Sequence, residues 1–336
     1  MIIGITYDLR SEYLAAGYTE EQTAEFDKDD TIVSLETALQ QLGHQPIRIG
    51  NAFQLIKHLM QHERWDLVFN IAEGLNGIGR EAQIPSILDL YGIPYTFSDP
   101  LVMSLTLHKG LTKRVIRDAG LPTANFMVIE RIEKLTDIPF SPPYFVKPIA
   151  EGTGKGIAPD SIAHNQKELI AVCQTRLDKY QQPVLVEQFL SGREFTVGIW
   201  GTGDQASIIG TIEVILLTHA EPEVYSYINK ERCEELVEYK YISSEKDPIV
   251  KQAETIALDA WKVLGCRDAG RIDIRCDAAG HPFFLEVNPL AGLHPEHSDL
   301  PIICNKLGIP YIDLIRTIVD SASQRMNQHV FKPKTG

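Results

Sequence analysis

No apolar run in this 336-residue chain approaches the ~20 residues needed to cross a bilayer. The opening MIIGITYDLR is interrupted by Asp8 and Arg10 too early for the apolar core of a signal peptide, and reads as a first buried strand. Positive charge is in short supply. Thirty-two Lys and Arg stand against 45 Asp and Glu, a balance of -13 that works against nucleic acid and against an anionic membrane. A small-molecule partner is expected instead. Cysteine is sparse too: Cys173, Cys233, Cys266, Cys276 and Cys304 are odd in number, dispersed and never in a C-x-x-C pair. Such usage predicts reduced thiols and a cytoplasmic location. No G-x-x-x-x-G-K phosphate loop occurs, and the first strand-to-helix connection, YDLRSEY, holds no glycine, so the two commonest nucleotide folds lose support. Gly201-Thr202-Gly203 is followed by a strand where a phosphate-binding helix is required, and reads as a hairpin turn. His294, Glu296 and His297 lack further partners at helical or hairpin spacing and do not make a zinc site.

What the chain has is ample material for a core. Hydrophobic residues make up 44% and charged residues 23%, and at ~150 residues per domain the length predicts two or three compact units. Through residue 96 short apolar runs alternate with helical patterns: strands at IIGITY, PIRIG and DLVFNI, helices near 31–42, 52–61 and 82–91. Asp30 or Thr31 is expected to cap the first of these helices and Gly43 to end it. This βαβ rhythm predicts a parallel sheet in an N-terminal α/β unit, 1–100. A single long helix is then expected through LVMSLTLHKGLTKRVIRDAG. A central α+β unit, 101–190, follows, with strands at NFMVI, PYFVKP and PVLVEQF and a glycine loop. The last unit, 191–336, holds two long strands joined at GTGD, a polar stretch at 218–247, a helix through ETIALDAWKVLG and a hairpin GRIDIRC/PFFLEVN.

Three segments carry chemistry together. In the hairpin, strand alternation sends Asp273, Glu286 and Asn288 to one face, where three hard oxygen donors suit Mg²⁺ completed by phosphate and water. A merely solvated hairpin explains poorly why these acids sit among Ile272, Ile274, Phe283, Phe284, Leu285 and Val287. In YFVKPIAEGTGKGI a strand delivers Lys147 to a loop with Gly152, Gly154 and Gly156, whose backbone N–H groups can close on phosphate oxygens. In PVLVEQFLSGREFTVGIW, Glu187 and Glu194 flank a reversal at Ser191-Gly192, and the extended segment can meet a purine edge while a carboxylate takes ribose hydroxyls.

In this order and spacing the segments resemble the ATP-grasp fold, specifically the D-alanine–D-alanine ligase family. The likeness runs from about residue 66 to 303 and includes GIPYT, HKGLTK, EQFLSGREFTVG, ALDAWKVLGCRDAGRID and LEVNPLAG. It implies an α/β fold, the ATP-grasp lobes following an N-terminal parallel-sheet βαβ domain. ATP would lie between the central and C-terminal units, with Lys109 and Lys147 on its phosphates. Glu187, Gln188, Phe189 and Leu190 would line the adenine edge, Glu194 the ribose, and Leu285 the base. Asp273, Glu286 and Asn288 match the ligands of Mg²⁺, with Mn²⁺ as a substitute, and Arg271 the arginine facing the negative intermediate. Thr153 of the glycine loop and Lys230 of a cover at 218–247 complete the catalytic set. The resemblance further implies an ADP-forming ligase of two amino acids in peptidoglycan synthesis, working as a homodimer. Two alternatives stay open: a peptide ligase with other amino-acid or peptide substrates, and a non-catalytic ATP-binding module.

Three departures concern substrate. The family's glycine-rich first loop, with its amine-anchoring glutamate, is replaced by YDLRSEYLAAGYTEEQ, which offers no assigned equivalent and only Glu12 as a candidate. Glu231 stands where the family places a tyrosine beside the cover lysine, and is expected to face the acceptor pocket or to pair with Arg10. One extra residue between Gly292 and Ser298 shifts the acceptor-carboxylate position attributed to Ser298.

Overall fold

The computed structural model describes residues 1–135 and 138–326; of the last unit read from the sequence, 327–336 lie outside the described residues. The N-terminal sheet has the order β2-β1-β3, all parallel, from β1 (Ile2–Thr6), β2 (Gln45–Gly50) and β3 (Leu67–Asn70). A short helix α1 (Arg10–Ala15) precedes α2 (Asp29–Gln41), α3 (Ala52–Met60) and α4 (Gln83–Tyr91). Alternation along the strands feeds two cores: Ile3, Ile5, Leu67 and Phe69 pack with Ile32, Leu35 and Leu39 of α2, while Val68 joins Leu55, Leu59 and Leu88 on the other face. The capping expectation for α2 fails. Its N-cap is Lys28, with no side-chain cap bond, because Asp30 spends its carboxylate on the Thr31 N–H inside the first turn.

The expected single long helix is two, α5 (Pro100–Leu107) and α6 (Lys109–Asp118). The break is at His108: its ring Nδ1 accepts from Leu111 N at 3.1 Å, and Lys109 N donates to Ile149 O at 3.1 Å instead of to the preceding turn. The interruption sets Lys109 in the first turn of α6.

The central sheet, β4-β7-β5-β6, is built from β4 (Phe126–Ile129), β5 (Tyr144–Pro148), β6 (Ile162–Ala163) and β7 (Val184–Gln188), with α7 (Gln166–Tyr180) on one face. Val146, Val184 and Val186 point into α7 through Leu169, Val172 and Cys173. Period-two alternation therefore turns Lys147, Leu185 and Glu187 to the opposite face.

The third sheet has the order β10-β9-β8-β11-β12, from β8 (Glu194–Trp200), β9 (Ser207–Leu216), β10 (Val237–Tyr241), β11 (Ala269–Cys276) and β12 (Pro282–Asn288). Between β9 and β10 lie two short helices, α8 (Tyr227–Glu231) and α9 (Cys233–Leu236). The sequence-based cover at 218–247 thus includes an edge strand: Val237 pairs with Leu216, and Val237 and Tyr239 join Val214 and Leu236 in a small apolar cluster. Helix α10 (Pro248–Leu264) covers one face of the sheet with Trp261 and a row of alanines against Phe195, Val197, Ile272, Ile274 and Phe284. At the β8–β9 turn, Gly201 (φ 89°) and Gly203 (φ 58°) supply the left-handed backbone expected of a hairpin. The chain closes with α11 (Asp299–Lys306) and α12 (Tyr311–Met326), whose Leu314, Ile315, Ile318 and Val319 pack back on the first sheet. No helix among the described residues is long and apolar enough to cross a membrane, and all five cysteines are unpaired.

Candidate active site

Two adjoining cavities lie between the central and third sheets, the larger walled on a further side by the N-terminal unit. The larger, of about 530 Å³, is lined among others by Lys109, Thr153, Lys230, Glu231, Arg271, Asn288, Gly292 and Ser298. The smaller, of about 50 Å³, is lined by Phe145, Lys147, Glu187, Gln188, Phe189, Leu190, Glu194, Asp273 and Leu285. Tyr225, Lys230 and Glu286 border both. Every site residue carried over from the resemblance therefore borders one cavity or the other, and only the first-loop candidate Glu12 borders neither.

The hairpin of β11 and β12 places the oxygen donors. Asp273 pairs directly with Glu286 and Arg271 with Asn288, while a bulge at Asp273/Ile274 skips Leu285. Simple alternation does not foresee this bulge. It lets Leu285 and Glu286, neighbours in sequence, both reach the cavity side while Phe284 and Val287 stay in the core. Thr196 Oγ1 donates to Asp273 Oδ1 at 3.0 Å, and Arg271 is held between Asp273 and Asp299, its Nε 3.2 Å from Asp299 Oδ2.

Electrostatics divides the two acids. Burial opposes the charge on Glu286, yet Lys109 and Lys147, at 3.7 and 3.8 Å, outweigh it with Lys230 and Arg271 and hold its carboxyl far below the usual range. For Asp273, burial prevails over Arg271, the charge of Glu286 adds to it, and the carboxyl is pushed up. Among the described residues no three His, Cys, Asp or Glu side chains cluster as a complete metal cage. Two carboxylates and one amide on a wall shared with lysines instead suit a hard divalent ion that keeps water and phosphate ligands. His294 and His297 line the larger cavity, stacked on each other at 4.3 Å, with ring nitrogens 3.4 Å from Asp30 and 2.9 Å from Glu234.

The smaller cavity has apolar walls, with Phe145 stacked on Phe189 and the Arg275 guanidinium 5.2 Å above the Phe189 ring. Glu194 is paired with Arg275 at 3.1 Å; burial nevertheless pushes its carboxyl upward. The Glu187 side chain borders this cavity 2% exposed, at ion-pair distance from Lys113 and Lys147.

The first loop differs from expectation as well. Glu12 is exposed and borders neither cavity. Carboxylates from Glu25, Asp27, Glu73 and Glu81 line the larger one instead. Arg10 lies 3.5 Å from Glu231 Oε2 and 2.7 Å from Glu20. Glu25, which no motif singled out, clasps the glycine loop: it accepts from Gly152 N at 2.5 Å and pairs with Arg80 at 2.9 Å and Lys155 at 3.3 Å. Gly154 (φ 69°) meets the start of α8 so closely that a Cβ would lie 2.9 Å from Tyr227 N.

Burial opposes the Glu25 charge, but Arg80 and Lys155 outweigh it and hold its carboxyl down to about 2. A carboxyl depressed on folding contributes stability that is present above its ordinary value near 4.5 and is lost as pH falls toward 2. Thermal unfolding of the wild type and Glu25→Gln should therefore differ most above about pH 5, by on the order of 2–3 kcal/mol, and converge as pH falls. A gap independent of pH would contradict this ion cluster.

Lobes that clasp a lysine-lined cleft over a carboxylate hairpin define the ATP-grasp class of ligases. The chain belongs to the D-alanine–D-alanine ligase family. The family model described as "D-ala D-ala ligase C-terminus" matches residues 115–320. The chain is 33% identical over 251 residues to a D-alanine–D-alanine ligase of Bordetella petrii, covering 74% of each, and 31% identical over 306 residues to an uncharacterized protein of Sinorhizobium fredii, covering 87% of each. Its fold matches a Bacillus anthracis D-alanine–D-alanine ligase complexed with ATP, at a TM-score of 0.73, 21% identity and coverage of 98% and 99%.

Proposed function

We propose that this chain joins two amino acids at the expense of ATP, releasing ADP and phosphate, with D-alanine as both substrates. The carrying observation is the convergence of Lys109, Lys147 and Arg271 on the Asp273–Glu286–Asn288 wall of one cleft. A carboxylate is a poor electrophile because its charge is delocalised. Transfer of the γ-phosphoryl group of ATP to the first amino acid's carboxylate makes an acyl phosphate that the second amine can attack, expelling phosphate. Lys109 and Lys147 hold the phosphates, and Arg271 offers donors to the oxyanion of the tetrahedral intermediate. Mg²⁺ or Mn²⁺, held by Asp273, Glu286 and Asn288, would neutralise charge on the transferred group. Water hydrolyses acyl phosphates, and Lys230, Thr153 and the 225–236 segment stand where they can exclude it. No protein nucleophile is required. Purified protein with ATP and Mg²⁺, followed for ADP release across D- and L-amino acids singly and in pairs, tests the reading. Release with D-alanine alone supports it, release only with other pairs shifts the substrates, and ATP binding without any release refutes ligation.

The Arg10–Glu231 pair joins the first loop to the cover where the family uses a tyrosine, so it belongs to the substrate side of the site. Glu231→Gln is expected to raise the KM of one amino acid about three- to tenfold, as loss of a charged contact does. Unchanged Michaelis constants for both would remove Glu231 from the site. We further propose a cytoplasmic enzyme, in keeping with its unpaired thiols, and a homodimer, whose mass light scattering reads directly. The exposed Phe53, Ile56 and Met60 on α3 offer an apolar surface for such a second copy.

A further inference from the structure

Lys113 borders neither cavity, yet it is fully buried, which is costly for an ammonium group. It stands one turn beyond Lys109 on α6, so both project from the same helix face. Phe126 roofs it, with the ring centroid 5.8 Å from Nζ. Its carboxylate neighbour is Glu187 Oε1 at 2.5 Å, and the other oxygen of Glu187 lies 3.0 Å from Lys147 Nζ. Lys147 and Lys109 in turn approach Glu286 at 3.8 and 3.7 Å. Charges thus alternate in a buried row from Lys113 through Glu187, Lys147 and Glu286 to Lys109. Three lysines face two glutamates, which leaves one positive charge in surplus.

We infer that Lys113 is a positioning residue for nucleotide binding, which shares Glu187 and so leaves the charge of Lys147 free for the phosphates. The inference rests on the ATP reading above. Without Lys113, Glu187 would pair with Lys147 alone and cancel its charge, in surroundings where screening is weak. Lys147 acts on the phosphates in the ground state and the transition state alike, so the loss falls on nucleotide affinity rather than on turnover.

Lys113→Met is expected to raise the KM for ATP, and the ATP dissociation constant measured by titration without amino acids, about tenfold, with kcat and the amino-acid KM changed less than about threefold. The variant Lys113→Arg, which keeps a positive charge beside Glu187, is expected to bind ATP within about threefold of wild type. A role confined to packing predicts the reverse, the bulkier Arg binding worse than the unbranched Met. Equal ATP affinity in Lys113→Met and wild type would overturn the inference, as would a Lys113→Arg variant that binds no better than Lys113→Met. If Lys113→Met does not fold, Lys113→Gln decides in its place: it removes the charge and is expected to weaken ATP binding about tenfold, and wild-type affinity overturns the proposal. Wild-type protein that fails to bind ATP would instead refute the underlying nucleotide reading.

Discussion

Glu286→Gln should lower ADP release by at least about 10³-fold, which corresponds to the several kcal/mol of charge stabilisation a catalytic metal supplies. The substitution keeps the shape of the side chain and removes its charge. In the native site that charge is held on by Lys109, Lys147, Lys230 and Arg271 in spite of burial, so an anionic oxygen is already prepared for a cation. Gln offers one neutral acceptor in its place. The fold should survive, because Lys147 keeps Glu187 as a partner at 3.0 Å and Lys109 keeps its hydrogen bond to Glu151 O at 2.6 Å. The melting temperature is therefore expected to move by only a few degrees. A coupled ADP assay over a range of Mg²⁺ concentrations, with circular dichroism as the folding control, checks both statements. Retention of more than a tenth of the wild-type rate would show that Glu286 is not a metal ligand.

Much of this site is legible in sequence because strands report facing directly. A period of two puts Glu286 and Asn288 on one side of β12, but strict alternation out from the DAAGH turn would pair Asp273 with Leu285, and only the bulge at Asp273/Ile274 brings Asp273 opposite Glu286. Lys147 is legible more simply: Val146 beside it marks the buried face, so the lysine takes the other. What escapes the sequence depends on distant partners. The break at His108 requires Ile149 O as acceptor for Lys109 N, 40 residues on in the chain by number. Glu25 finds Arg80 and Lys155 only after three segments fold together, and nothing in AEFDK announces that meeting. Lys113 lies between these cases. Its i,i+4 spacing from Lys109 is visible in HKGLTK, but its burial against Glu187 is not. The edge strand at Val237–Tyr241 hides in a charged stretch because only one of its faces is apolar.

The largest expected loss of stability lies far from the cleft, at Arg325. Asp268 is wholly buried and takes a left-handed backbone, φ 64°, between α10 and β11. Its carboxylate accepts from Phe97 N at 2.7 Å, Ser321 Oγ at 2.7 Å and Arg325 Nη2 at 2.9 Å, and the same guanidinium donates to Tyr95 O at 3.0 Å. One ion pair thus joins the end of the first sheet, the third sheet and the last helix. Arg325→Met leaves a buried carboxylate with neutral donors only. Breaking such a pair from one side costs about 3–5 kcal/mol, or on the order of 10 °C in melting temperature for a chain of this size. Removing the charge from both sides is far milder, because no ion is then left without a counter-ion. Arg325→Met/Asp268→Asn should therefore recover at least half of the loss. Michaelis constants should hold in every variant that folds, since neither residue borders the cavities. If the double variant is less stable than Arg325→Met by the full cost of a second independent loss, the carboxylate and guanidinium act separately, and the three-way junction is held by packing of α12 on α2 instead.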